Sequence, residues 1–195
     1  MPNITPEFLN TLATAGLDAN FPTAIAKNIK MVVLDIDGVL TDGGLYYNDN
    51  GLAFKRFEVQ DGMGIKMAQR SGIEIVIISG MKSAAVEARA TDLGINECHT
   101  GCVFKLPKLE EIMQKNALEW KNVAYVGDDV IDLPIMCKAG LPLAVANAQP
   151  EVKAIAAYVT PINGGNGAVR QLLRHIMAAQ GVLENRIADF FAPKS

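Results

Sequence analysis

The chain has 195 residues, half of them hydrophobic and 20% charged, with 18 basic against 21 acidic side chains and a net charge of −3. That length suits one ordinary domain with a real core, and the charge balance leaves neither a basic footprint for nucleic acid nor an acidic tail. No apolar stretch approaches the roughly 18 residues of a membrane span, and "MPNITPEFLNTLATAG" lacks the basic start and long apolar run of a signal peptide, so the expected setting is soluble and cytoplasmic.

In chain order, residues 1–29 read as a helical N-terminal extension. The run "MVVLDI" (31–36) then opens a series of short apolar segments, continued by "IEIVIIS" (73–79), "NVAYVG" (122–127) and "LPLAVA" (141–146). Near-continuous hydrophobicity over such lengths predicts strands of a parallel sheet covered on both faces. Helical spacing falls on 61–71, 82–92, 105–118, 129–138 and 166–180. The alternation predicts an α/β fold, a doubly wound (Rossmann-like) parallel sheet with helices on both faces and a ligand site outside the carboxyl ends of its strands. One segment, "LYYNDNGLAFKRFEV" (45–59), interrupts it: alternating runs around Asn50-Gly51 predict a small β-hairpin insertion, too short for a cap domain. Residues 30–180 are then the main domain, and 181–195 a C-terminal helix and tail. The adjacent aromatics Phe190 and Phe191 suggest docking on a partner subunit. Cys98, Cys102 and Cys137 lack a second pair at metal-ligand spacing and read as buried reduced thiols.

The strand ends carry the chemistry. Asp35 and Asp37 end the first apolar run, Ser79 ends the second, Lys105 opens a helix, and Asp128 and Asp129 end a later run in "YVGDD". Carboxylates this close repel, and burying one without a partner is costly. Three acidic groups with oxygen-only chemistry suit a hard divalent cation, Mg²⁺ above all, held by Asp35, Asp37 and Asp128. A phosphate would complete its coordination. Phosphoryl transfer needs a nucleophile, a proton donor for the leaving oxygen and positive charge around the phosphoryl oxygens. Asp35 can be that nucleophile, Asp37 the general acid and then the base for water, and Ser79 and Lys105 the phosphoryl clamp. Lys108, one helical turn on, is the rival to Lys105.

This arrangement resembles the haloacid dehalogenase superfamily, whose first motif DxDGxxTD is matched by "DIDGVLTD", with Ser79, Lys105 and "GDD" (127–129) following in order. Further stretches, "DGVLTDGGLYYNDNG", "VQDGMGIKM", "YVGDDVIDLP" and "GGNGAVRQLL", are similar to the capless subfamily that hydrolyses 3-deoxy-D-manno-octulosonate 8-phosphate. The resemblance implies a Mg²⁺-dependent phosphatase of a phosphorylated sugar acid in lipopolysaccharide precursor synthesis. It also implies a homotetramer in which a neighbouring subunit covers each site. By position it assigns substrate contact to Asp37 and Lys105, to the run Glu58, Val59, Gln60, Asp61 and Gly62, and to Lys66 and Arg89. The subfamily usually has Arg after "SG" and His or Asn then Arg before "DG", whereas this chain has Met81, Glu58 and Gln60, and so fewer cations for a sugar-acid anion.

Other residues read more plainly. Asp129 and Asp132 fit capping at a helix start as well as metal contact. "GGNG" (164–167) lacks the context of a phosphate-binding loop and reads as a flexible turn, His99 and His175 as structural or surface histidines, and the methionines as core filler. Rival functions are a phosphatase for a nine-carbon sialic-type sugar 9-phosphate, a phospho-receiver switch, and a catalytically dead assembly module.

Overall fold

The computed structural model describes residues 4–191. In chain order its strands are β1 (Met31–Leu34), β2 (Tyr46–Asn48), β3 (Gly51–Phe54), β4 (Glu74–Ile78), β5 (Glu97–His99), β6 (Val123–Gly127), β7 (Leu141–Ala144) and β8 (Tyr158–Val159). Six of them form one sheet in the order β5-β4-β1-β6-β7-β8, every pair parallel, while β2 and β3 form the separate antiparallel hairpin. The chain builds outward from β1 through β4 to β5, then crosses back to lay β6, β7 and β8 on the other side. β1 is therefore the topological switch point, and ligands of such sheets sit beyond the carboxyl ends of the strands there.

The four strands expected from apolar runs are the four longest of this sheet. β5 and β8 escape the pattern because they are three and two residues long and edge the sheet, where a strand needs little burial. Helices α1 (Pro6–Thr14), α2 (Thr23–Ala26), α3 (Val59–Arg70), α4 (Ala84–Leu93), α5 (Lys105–Lys115), α6 (Leu133–Met136), α7 (Pro150–Ile155), α8 (Ala168–Ala179) and α9 (Leu183–Ala188) complete the fold. The segment read as a helix over 129–138 is instead a 3₁₀ turn at Val130–Asp132 followed by α6. α3, α4, α8, α2 and α9 pack together, and α5 packs with α6. No cap intervenes between β1 and α3, only the 36–42 loop and the hairpin, whose two-residue turn falls on Asp49-Asn50 with Gly51 at φ +107°.

The termini meet on α8. Arg174 donates to the carbonyls of Leu12 (2.6 Å), Ala13 (3.2 Å) and Ala15 (2.7 Å), which are the open acceptors at the end of α1. His175 is buried: its Nε2 accepts from the Asp18 N–H at 2.8 Å and its Nδ1 faces the Gln171 carbonyl at 2.8 Å. In the tail, Phe191 packs edge-on against Phe8 of the chain's own α1, with centroids 6.3 Å apart, while Phe190 and Phe191 both stay exposed; residues 192–195 lie outside the described residues. The three cysteines are free thiols, but Cys98 and Cys102 are half-buried and Cys137 is exposed rather than buried. No helix among the described residues is long and apolar enough to cross a membrane.

Candidate active site

Asp35 leaves the end of β1 with its backbone N–H still bonded to the Val126 carbonyl of β6 at 3.1 Å, so the sheet fixes its position. Lys105, first residue of α5, reaches under it. The buried ammonium lies 2.7 Å from Asp35 Oδ1 and 2.8 Å from Asp132 Oδ1. Asp132 is fully buried and fully engaged, accepting also from the Tyr125 hydroxyl (2.6 Å) and from the backbone N–H groups of Asp128 (3.0 Å) and Asp129 (3.4 Å). Lys108 is paired with Glu111 on the surface, which leaves Lys105 as the lysine of the cluster.

Asp35, Asp128 and Asp132 each offer a carboxylate oxygen within 4.8 Å of the others. Burial, and then Asp132, push Asp35 up to about 6, with Lys105 pulling the other way. Burial, and then Asp35 and Asp132, push Asp128 up to about 8. Burial alone would lower Lys105, but Asp35 and Asp132 outweigh it and hold the ammonium above its ordinary value. With all three carboxylates ionised, one ammonium leaves two negative charges, and the raised values show how strongly the site resists that without a further cation. Asp128 Oδ1, moreover, is buried with no hydrogen-bond partner. A divalent oxygen-seeking cation answers both facts, and the donor set fits Mg²⁺.

Two glycines admit this convergence. A Cβ on Gly127 would stand 2.6 Å from Asp132 Oδ2, and one on Gly38, at φ +89°, 2.0 Å from Asp128 Oδ2. The "GGNG" segment is no loose turn. Gly164 lies so close to the first loop that its Cβ would be 1.8 Å from the Gly38 carbonyl oxygen, and Asn147 ties the two, donating to Gly38 O (2.9 Å) and accepting from Gly164 N–H (2.7 Å).

The other expected residues divide. Ser79, buried at the end of β4, has its hydroxyl on the Met81 carbonyl at 3.4 Å. Asp37, expected among the metal ligands, pairs its carboxylate with Lys55, while the side-chain carboxylates that converge are those of Asp35, Asp128 and Asp132. Val59, Gln60, Gly62, Lys66 and Arg89 do come together, lining a groove of about 410 Å³ between α3 and α4, but no member of the carboxylate cluster lines it. Glu58 caps α3, accepting from the Gln60 N–H at 3.3 Å, and pairs with Arg56 at 3.3 Å. Asp61 turns away from the groove, buried, with Oδ1 accepting from the Arg170 N–H of α8 at 2.7 Å.

Residues 100–172 match the model of the haloacid dehalogenase-like hydrolase family. The chain is 47% identical over 161 residues to the 3-deoxy-D-manno-octulosonate 8-phosphate phosphatase of Escherichia coli K12, covering 83% of this chain and 86% of that one. The chain belongs to the 3-deoxy-D-manno-octulosonate 8-phosphate phosphatase family. The family's fold is shared closely. The Moraxella catarrhalis phosphatase of that name, solved with magnesium, phosphate and KDO bound, superposes with a TM-score of 0.85 at 39% identity, over 89% of this chain and 99% of that one. The cobalt-bound Haemophilus influenzae phosphatase superposes with a TM-score of 0.79 at 40% identity, over 82% and 93%.

Three residues that this structure brings to the carboxylate cluster or to Asp37 are not marked by the sequence pattern. By sequence Asp132 fits a cap or a ligand alike, and its four donors converge only in the folded chain. Tyr125 sits inside an apolar strand run, where an aromatic signals core and nothing marks its hydroxyl. Lys55 directly follows a hairpin strand, and lysine is commonplace beside an exposed strand edge. Its ammonium meets Asp37 only in the folded chain.

Proposed function

We propose that the chain hydrolyses 3-deoxy-D-manno-octulosonate 8-phosphate to the free sugar acid and phosphate with Mg²⁺ bound, in the cytoplasm, as a homotetramer. The observation that carries the chemistry is the buried, partnerless Oδ1 of Asp128 beside Asp35, and the family membership carries the substrate. Asp35 and Asp128 would hold the cation, which supplies charge neutralisation and a seat for one phosphoryl oxygen. The second oxygen of Asp35 attacks phosphorus, and the ester P–O bond breaks as an aspartyl-phosphate forms. Asp37 gives its proton to the departing sugar oxygen, then takes one from the water that attacks the aspartyl-phosphate. Phosphate leaves and Asp35 returns. Lys105 and Ser79 stabilise the phosphoryl oxygens, and Asp132 holds Lys105 in place.

The groove of Val59, Gln60, Gly62, Lys66 and Arg89, with Glu58 and Asp61 flanking it, is presented in our reading to the sugar end of a substrate in a neighbouring subunit's site, since no cluster residue of the same chain lines it. Free thiols and the lack of any described membrane-crossing helix agree with the cytoplasmic setting.

Phosphate release from the octulosonate ester with Mg²⁺ present, compared with a nine-carbon sialic-type 9-phosphate, tests the reading. The octulosonate ester is expected to have the higher kcat/KM, and Asp35→Asn to lose at least about a thousandfold in kcat. Full activity in that variant, or preference for the nine-carbon ester, would overturn it.

A further inference from the structure

Lys55 follows the last residue of β3, outside the sheet that carries the carboxylate cluster, yet its side chain is only 1% exposed. The ammonium pairs with the Asp37 carboxylate and also lies 3.7 Å from the Met81 sulphur. Among the described residues Lys55 is the only side-chain hydrogen-bond partner of that carboxylate, which is itself 30% exposed at the mouth of the site.

The backbone beneath Asp37 is fixed independently. The Ile36 carbonyl accepts from the N–H groups of Val39 (3.2 Å), Leu40 (3.0 Å) and Thr41 (3.0 Å), and from the Thr41 hydroxyl (3.2 Å). What remains free is rotation about the Asp37 side-chain bonds, and a short polar side chain at a wet mouth samples several staggered rotamers unless something holds it. The base of Lys55 is pinned by the two residues that follow it: Phe57 bridges to Thr41, and Arg56 donates to the Gly165 carbonyl at 2.6 Å. A buried ammonium on a fixed stem, paired with one carboxylate, selects one rotamer for that carboxylate. Holding such a pair against its burial cost has no purpose in the hairpin itself, none of whose described side chains belongs to the core.

We propose that Lys55 is the positioning residue for Asp37, setting the carboxyl that protonates the leaving oxygen and tying that step to the seating of the hairpin. The inference rests on Asp37 being the proton donor. It requires no contact between Lys55 and substrate.

Leaving-group dependence separates positioning from a merely structural role. The octulosonate ester expels an alkoxide and needs its proton, whereas p-nitrophenyl phosphate expels a stabilised phenolate and needs little help. Lys55→Met is expected to lower kcat on the octulosonate ester by about ten- to a hundredfold, and on p-nitrophenyl phosphate by less than about threefold, with KM little changed on either. Lys55→Arg is expected to recover part of the loss. The double variant Asp37→Asn with Lys55→Met is expected to be no slower than Asp37→Asn alone, since both remove one function. Equal losses on the two esters, or losses that multiply in the double variant, would overturn the proposal, and Lys55→Arg carries the same comparison if Lys55→Met fails to fold. Should Asp37→Asn itself show no leaving-group dependence, the reading of Asp37 as donor falls instead.

Discussion

Asp61 shows at the scale of one residue how a carboxylate can be built into the frame beside a site. Its Oδ1 caps α8 through the Arg170 N–H, and its Oδ2 is buried without a partner. The start of a helix favours negative charge, but here burial wins and pushes the carboxyl up to about 6. The folded chain therefore takes up a proton at this group in the window between the ordinary value of 3.8 and about 6, where the unfolded chain has already lost it. The group's contribution to stability is accordingly greatest below that window and falls as pH rises through it, by on the order of 2–3 kcal/mol in all. Asp61→Asn keeps an acceptor for the cap and removes the titration. Urea unfolding of wild type and variant at a series of pH values checks this: the stability of the wild type relative to the variant is expected to decline from pH 4 to pH 7, and a difference flat across that range would refute it.

At the scale of elements, the same physics decides what the sequence discloses. β1, β4, β6 and β7 are legible because strands buried on both faces need unbroken apolar runs. The positions of Asp35, Ser79 and Asp128 follow once those strand ends are placed, and that of Lys105 from the helical spacing that begins at 105. Nothing in the pattern marks β5 or β8, where two or three residues complete an edge. Nor does it show that Gly164 is pressed against Gly38, because a glycine needed for close approach looks like a glycine in a loose turn. Contacts between distant elements, such as Lys55 with Asp37 and Arg174 with α1, are invisible to local spacing. That last contact predicts a local effect. Arg174 satisfies three terminal carbonyls of α1 from α8, and hydrogen bonds from a charged donor contribute about 1.5–3 kcal/mol each. Arg174→Met is expected to raise amide hydrogen exchange in α1 by at least about tenfold while kcat stays as in the wild type. Unchanged exchange in α1 would show that the helix is held by something else.

At the scale of the whole molecule, an open site poses a problem that one chain does not solve. With no cap, the mouth above the buried carboxylate cluster is open to water, where a phosphoryl intermediate is exposed and electrostatic stabilisation is weakened. The loops around its mouth carry Met81, Val103, Phe104 and Val130, all exposed, and Phe104 is 84% exposed. The hairpin likewise shows Leu45, Tyr47 and Phe54 to solvent, with Tyr46 and Phe54 stacked at 4.6 Å. Large apolar side chains gathered at two places on one surface mark interfaces, and a hairpin laid over a neighbour's mouth would bury both sets at once and exclude water from the reaction. A closed ring of such contacts gives a symmetric assembly in which every site is covered. Light scattering is therefore expected to give a mass of about four chains at working concentration. Phe104→Asp, which places a charge in the mouth-side patch without touching the carboxylates, is expected to shift the mass toward that of a single chain and to raise KM for the octulosonate ester at least about tenfold. A wild-type chain that scatters as a monomer and works at full rate would remove the neighbour from the account, and the groove of Lys66 and Arg89 would then need another occupant.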